Sequence, residues 1–284
     1  MKNLKTSTES QFPHISRGLG RGGDKKSAFT LAEVLITLGV IGVVAAMTIP
    51  TLIHNYQKTV YVNQLKKSYS ILEQAFQKML ADDGVQKLSD TSVWASKNNA
   101  ECNYSTTSYT TDNCKAFVNS LNKYIKIIGV EKYGNKVAYL KGTGTNNYTN
   151  YYSLVLSDGT IVMLYVFSSA PTSSACNQIK SQGGNMCSSS GLMSIDINGR
   201  KGPNTDGRDV FWFYLSDEGK LNPHFGKDYA IWYSPSLTLN NKNNTSYWRN
   251  DNKRCGNADG TMPNTVYGSG CAARIMEEGW KMNY

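Results

Sequence analysis

Histidine and closely spaced cysteine pairs are scarce in this 284-residue chain. It contains three histidines, His14, His54 and His224, and its six cysteines form no Cys-x-x-Cys motif. Histidine is the most frequent general base in enzymes, and cysteine pairs at that spacing are typical of zinc sites. No set of nucleophile, base and orienting residue can be named from these residues, so we expect the protein not to be an enzyme.

Charge is almost absent from the segment between Phe29 and Ile49. Its 21 residues include one ionisable side chain, Glu33. A helix of that length spans the ~30 Å hydrocarbon core of a bilayer. A carboxylate in that environment costs about 2.5 kcal/mol or more, so its presence calls for a partner. We therefore predict a transmembrane helix over residues 29–50 and a functional partner for Glu33.

The residues before this segment form a basic leader over residues 1–28. The whole chain carries a net charge of +9, and the leader contributes +4 of it. The remaining surplus of about +5 is small, which disfavours nucleic acid as a partner. The positive-inside rule predicts that the leader is cytoplasmic and that the C-terminal domain lies on the other side of the membrane. The small-residue junction Ser27-Ala28 precedes the apolar run, whereas a secretory signal has its cleavage site after it.

This order of a basic pair, a small-residue junction and the sequence FTLAE at residues 29–33 resembles the type IV prepilin signal. That signal is shared by type IV pilins and by the pseudopilins of type II secretion, and the resemblance covers residues 25–80. It implies that a prepilin peptidase cuts between Ala28 and Phe29 and methylates Phe29. It also implies that Glu33 pairs with the amino group of Phe29 on a neighbouring subunit. Ala28 stands where the family usually has glycine.

The same resemblance implies a structural role, as a pseudopilin or minor pilin of a type II secretion pseudopilus or a type IV pilus. The implied partners are other pilin or pseudopilin subunits, the prepilin peptidase and the inner-membrane assembly platform. The chain would be a single-pass protein of the bacterial inner membrane with a cytoplasmic N terminus. Its globular domain would be periplasmic, or extracellular in a filament. Two alternatives stay open: a filament-tip binding subunit, as an adhesin or DNA-uptake pilin, and a membrane-tethered exported enzyme.

The helix is predicted to continue from Phe29 to about Leu80 and to become amphipathic after Pro50. We expect Pro50 to kink or locally open it, because proline has no backbone N–H. Gly84, after two aspartates, is expected to end it with a left-handed cap. Apolar residues recur every three or four positions in the second half, which predicts one apolar face. These residues are Tyr61, Leu65, Tyr69, Leu72, Phe76 and Met79.

Residues 81–284 are predicted to form an exported globular domain built mainly of strands. Asp158-Gly159 joins two β-rich runs at 151–157 and 160–168, which predicts a hairpin with a type I′ turn. Residues 91–114 are polar and predicted to be mostly loop, and a short helix is predicted at 272–278. A long helix followed by an antiparallel sheet is an α+β fold, and the pilin resemblance implies that the sheet packs on the amphipathic half of the helix. Other strand candidates are 124–130, 137–140, 193–197, 210–215 and 230–233.

All six cysteines lie in the predicted exported domain, a location that favours disulfides. Of the 15 possible connectivities, pairing of sequence neighbours is one. A zinc site is the alternative, although the histidines lie far from the cysteines in sequence. The neighbour pairs are Cys102 with Cys114, Cys176 with Cys187, and Cys255 with Cys271.

Residues 196–209, DINGRKGPNTDGRD, are rich in oxygen donors. Calcium takes six to eight oxygen ligands from loops of this kind, and the segment resembles the calcium-binding loop of some major pseudopilins. It is not an EF-hand, since Gly207 occupies the position of the bidentate glutamate. The alternative is a turn whose Asp and Asn side chains cap their own backbone. The candidate ligands are Asp196, Asn198, Asn204, Asp206 and Asp209.

The C-terminal region interleaves aromatic residues with Asn, Lys and Arg. Such residues can stack on sugar rings or on single-stranded nucleic acid. Equally, they can fill a small disulfide-stapled core. The residues concerned are Trp232, Tyr233, Tyr247, Trp248, Tyr267 and Trp280.

Overall fold

A computed structural model describes residues 30–98, 102, 111–134, 136–148, 151–166, 189–226, 252–257 and 259–284. The predicted cleavage junction and the predicted strand at 230–233 lie outside these residues. So do Cys176, Cys187 and four of the aromatic residues of the C-terminal region. The chain divides into two compact units, Met1–Thr51 and Leu52–Tyr284, which are described separately.

The first unit contains the beginning of helix α1 (Leu31–Asp83). An 18-residue window of this helix has a mean hydropathy of 2.2 and is fully exposed, so by length and composition the helix can cross a membrane. The helix is not interrupted at Pro50, where the sequence predicts a kink or local opening. The missing N–H of proline removes one hydrogen bond, and the turns on both sides stay helical.

The second unit begins with the amphipathic part of α1. Leu65, Leu72, Phe76 and Met79 have at most 1% of their surface exposed, which confirms the predicted apolar face. The ring of Phe76 meets Trp94 edge-on, with 6.3 Å between ring centroids.

Helix α1 ends at Asp83, directly before Gly84, where the sequence predicts its end. Gly84 follows with φ +65°, a conformation that glycine adopts without steric cost. The Val85 N–H donates to the Leu80 carbonyl at 3.1 Å, the hydrogen bond of a Schellman cap.

An antiparallel sheet of six strands, in the order β1-β4-β5-β6-β7-β8, packs against this part of α1. Strands β2 and β3 form a separate pair. Every residue of β7 is buried, as expected for a strand near the middle of a core. The fold is therefore α+β, as predicted. The strands are β1 (Ile127–Lys132), β2 (Lys136–Ala138), β3 (Thr145–Asn147), β4 (Tyr152–Leu156), β5 (Ile161–Val166), β6 (Ser189–Asp196), β7 (Val210–Ser216) and β8 (Leu221–Pro223).

The predicted hairpin is β4–β5, but its turn differs from the predicted type I′. The Leu156 N–H donates to Thr160 O at 2.9 Å, and the Gly159 N–H donates to Leu156 O at 3.0 Å. Gly159 has φ +87°, whereas Asp158 is not among the residues with positive φ. A type I′ turn needs positive φ at both central residues. Three residues therefore form the loop, with the glycine in the last position.

The segment 91–114, predicted to be mostly loop, contains helix α2 (Ser92–Ala95) and the start of helix α3 (Asp112–Leu121). The Thr91 hydroxyl accepts a hydrogen bond from the Trp94 N–H at 3.2 Å, so α2 has a side-chain N-cap. Helix α3 buries Phe117 and Leu121 completely. A short 3₁₀ helix, Leu88–Asp90, precedes α2.

Among the described residues, two disulfides hold the loops: Cys102–Cys114 and Cys255–Cys271. Both are pairs of sequence neighbours, one of the connectivities that the sequence left open. Helices α4 (Asn252–Cys255) and α5 (Cys271–Glu277) each contribute one cysteine to the second bond.

Candidate assembly site and aspartate loop

The start of α1 is a reciprocal cap between Thr30 and Glu33. The Thr30 N–H and hydroxyl donate to Glu33 Oε2 at 2.8 and 3.0 Å. In return, the Glu33 N–H donates to Thr30 Oγ1 at 3.2 Å. This is the capping box, which satisfies two backbone donors that the first helical turn leaves open. The spacing Thr-x-x-Glu is the sequence signal of this motif, so Glu33 has a capping role besides its predicted docking role.

The side chains that follow Glu33 form a continuous apolar surface. Leu35, Ile36, Leu38 and Ile41 expose between 61% and 67% of their area. Contiguous exposed apolar surface of this size marks a contact with lipid or with other protein chains. The predicted processing residues Ala28 and Phe29 lie outside the described part of the chain, and the predicted assembly residue Pro50 lies within α1.

Residues 196–209 form the segment that we call the aspartate loop. Within it, Asp209 binds the backbone through hydrogen bonds. Its carboxylate accepts from the Asn204 N–H at 2.8 Å and from the Thr205 N–H at 2.6 Å. The side-chain amide of Asn198 also donates to it at 3.1 Å. This pattern is that of an aspartate capping its own turn, the alternative that the sequence offered.

The other two aspartates bind residues from distant parts of the chain. Asp196 accepts from the Tyr133 hydroxyl at 2.6 Å. Asp206 accepts from Trp212 Nε1 at 2.9 Å and from the Asn146 side-chain amide at 2.8 Å. Asp206 and Asp209 are completely buried, and Asp196 is 1% exposed. The spacing within residues 196–209 could not reveal these partners.

Burial dominates the electrostatics of the three carboxyl groups. It raises the pKa of Asp196 to about 7 and that of Asp206 to about 7, and the nearby Asp209 charge adds to both shifts. Burial also raises the pKa of Asp209 itself. Each group is thus easier to protonate than an ordinary aspartate.

In this segment the described contacts favour the self-capping turn over a calcium site. Each of the three carboxylates already accepts hydrogen bonds from protein donors. Within the described ranges, no three His, Cys, Asp or Glu side chains are grouped so that they could hold a metal ion. One oxygen of the predicted set, Asn198 Oδ1, is buried without a hydrogen-bond partner. Calcium takes six to eight oxygen ligands, and the side chains described in this segment are arranged as a hydrogen-bonded turn rather than as a preformed set of that size.

The two histidines outside the leader line different clefts. His54 lies beside Lys58 and Arg208 in a cleft of about 210 Å³. His224 lines a second cleft, of about 380 Å³, together with several aromatic residues. Burial lowers the pKa of His224 to about 3, so it is uncharged at neutral pH. The structure does not bring the two imidazoles into one site.

Comparison with known proteins gives two family matches. A model described as "Prokaryotic N-terminal methylation motif" matches residues 23–49. A model described as "Family of unknown function (DUF6613)" matches residues 51–284. Neither the curated proteins nor the solved structures include a match to the chain.

Proposed function

This chain belongs to the family of unknown function (DUF6613) and carries the type IV prepilin-like signature at its N terminus, and we propose that it is a structural subunit of a pilus or pseudopilus. The methylation motif supports a type IV pilin-like or pseudopilin subunit in general. In the proposed role, prepilin peptidase removes residues 1–28 and the subunit assembles through α1.

One observation carries the proposal: the matched motif coincides with the exposed apolar part of α1 and contains Glu33 near its start. An apolar helix surface without cover needs either lipid or neighbouring helices. Before assembly, membrane lipid covers this surface. In the filament, equivalent helices of neighbouring subunits cover it, so the same surface is buried in both states.

Glu33 would set the register between subunits. Cleavage before Phe29 creates an amino group four positions ahead of Glu33 in sequence. A carboxylate and an ammonium group in an apolar core are tolerated when they pair, and removing one partner is strongly destabilising. A neighbour in the wrong register would leave both charges without a partner. The pair would thus select one stacking arrangement.

The exported location of the globular domain has independent chemical support. Disulfides persist in oxidising compartments such as the bacterial periplasm, and both described disulfides lie after residue 100. In the proposed topology, the N terminus is cytoplasmic and residues 52–284 lie in the periplasm or on a filament outside the cell. The partners would be other pilin-like subunits, the prepilin peptidase and an inner-membrane assembly platform.

Site-specific photo-crosslinking in cells tests this proposal. A photoreactive amino acid replaces exposed Ile36 or Val40 in the full chain, produced in a host with prepilin peptidase and an assembly platform. We expect adducts to a second copy or to another pilin-like chain, and we expect them to disappear when the peptidase is deleted. Adducts to lipid alone in the complete host would refute assembly through α1.

A further inference from the structure

The cleft that contains His224 lies on the face of the sheet opposite α1. In β7, Phe211 and Phe213 belong to the core that packs against α1. Trp212, between them, lines the cleft. Because successive side chains of a strand point to opposite faces, the cleft opens on the far side of the sheet. We propose that this cleft is a saccharide-binding site.

Aromatic rings form its walls. Tyr148 lies between Tyr151 and Trp212, with ring centroids 5.2 and 5.8 Å away. On another side, Tyr139 meets Tyr267 nearly at right angles, with 5.0 Å between centroids. The four tyrosines are only partly buried. Aromatic side chains with part of their surface exposed thus line a concave site, the setting in which small ligands usually bind.

Polar side chains also line the cleft: Asn146, Asp206 and Arg254. Asp206 binds the indole N–H of Trp212 with one oxygen and the amide of Asn146 with the other. It therefore acts as a positioning residue for both side chains. The guanidinium of Arg254 lies 5.5 Å from the ring centre of Tyr267. The amide of Asn146 and the guanidinium of Arg254 are directional hydrogen-bonding groups that can fix a polar ligand.

The segment 267–269 is held close to the aspartate loop. Gly268 has φ +90°, and a Cβ atom there would lie 2.0 Å from the Asp206 carbonyl oxygen. Only glycine permits this approach. On the other side, the Tyr267 N–H donates to Lys253 O at 2.7 Å, and the Cys255–Cys271 bond closes the loop. The walls are thus fixed in advance, which lowers the entropic cost of binding.

This combination selects for a neutral ligand with hydroxyl groups. A sugar ring offers an apolar C–H face for stacking and hydroxyls at its edge for hydrogen bonds. The cleft lining contains one guanidinium, Arg254, and one buried carboxyl group, Asp206, so the lining is not strongly basic. Single-stranded nucleic acid, which also stacks on aromatic rings, is usually bound in a strongly basic groove. The observations therefore favour a saccharide.

The inference is independent of filament assembly, because every residue it uses lies between 139 and 271. The test uses the full chain in detergent micelles on a glycan array, followed by calorimetric titration with the saccharide that gives the strongest signal. Tyr148→Ala and Tyr267→Ala each remove a stacking face and should weaken binding at least about tenfold. Tyr148→Phe keeps the ring and should bind within about threefold of the wild type.

Tyr56→Ala is the matched control, because Tyr56 is 68% exposed and is not part of the cleft lining. It should bind like the wild type. Circular dichroism and the melting temperature establish that each variant is folded. Three results would overturn the proposal: no saccharide on the array bound, cleft variants with wild-type folding and affinity, or binding confined to a single-stranded oligonucleotide probe.

Discussion

Glu33 accepts two hydrogen bonds from Thr30, one from its backbone N–H at 2.8 Å and one from its hydroxyl at 3.0 Å. The carboxylate is therefore held at the start of α1 by its own chain before any neighbour is present. Thr30 has a capping role, whereas Glu33 has both a capping role and the proposed docking role. Substituting each residue alone separates the two.

We predict that Glu33→Gln lowers the yield of assembled filaments at least tenfold, because an amide cannot neutralise the amino group of a neighbour. Thr30→Ala should assemble, since it retains the carboxylate and loses about 1 kcal/mol of helix capping. The measurement is an immunoblot of sheared surface or membrane filaments, normalised to processed subunit. Equal filament yields for Glu33→Gln and the wild type would contradict the register role.

We predict that Phe76→Ala lowers the free energy of unfolding of the globular unit by about 3–5 kcal/mol, the usual cost of truncating a buried aromatic residue. Phe76 lies on the buried face of α1, where its ring is fully buried in the core and contacts Trp94. Ile71→Ala on the same helix is the control, because Ile71 is 42% exposed. Urea denaturation followed by tryptophan fluorescence measures both variants. Similar losses for the two would show that the buried face is not as described.

The bond between Cys255 and Cys271 closes a loop with a sequence separation of 16. A disulfide closing a loop of this size stabilises the folded state by about 3 kcal/mol in the chain-entropy model. We therefore expect the double variant Cys255→Ser/Cys271→Ser to melt several degrees lower than the wild type under non-reducing conditions. An unchanged melting temperature would indicate that this bond does not constrain the chain.

Asp206 gives the protein a specific dependence on pH. Burial raises the pKa of Asp206 to about 7, so the folded state holds the proton that the unfolded state releases near pH 4. Stability contributed by this group is therefore full below about pH 4 and is lost as the pH rises towards 7.

Asp206→Asn lacks this titration. Its melting temperature minus that of the wild type should therefore rise from pH 4 to pH 7, equivalent to about 1.4 kcal/mol per pH unit. Hydrogen bonds from Thr261 lower the pKa of exposed Asp259, so Asp259→Asn should show a flat difference over the same range. A flat difference for Asp206→Asn as well would contradict the raised pKa of this buried carboxyl group.

Calcium should not stabilise the aspartate loop. Asp196, Asp206 and Asp209 accept hydrogen bonds from protein donors, and a bound ion would have to displace these donors. We expect the melting temperatures in 1 mM calcium and in excess chelator to agree within about 1 °C, because binding to the folded state alone would raise the value. A rise of several degrees that Asp209→Asn abolishes would restore the calcium interpretation.

The sequence predicted the features whose signals are local. The spacing of Leu65, Leu72 and Phe76 predicted the buried face of α1, and Gly84 predicted where the helix ends. The antiparallel sheet followed from runs of β-branched and aromatic residues. These elements depend on periodicity and capping, which a single chain displays directly.

What the sequence could not supply were contacts between distant positions. It identified the oxygen donors of residues 196–209 but not their partners, since Asn146 lies 60 positions away from Asp206. Helix α3 was missed because the polar residues before it favour loop, while the burial of Phe117 and the bond to Cys102 stabilise the helix. The aromatic cleft likewise combines residues from five separate segments.

The intact mass of the protein extracted from membranes tests the central claim most directly. We predict a chain that lacks residues 1–28, begins with N-methylated Phe29 and carries its six cysteines as three disulfides. A chain that retains residues 1–28 in cells with active prepilin peptidase would contradict it.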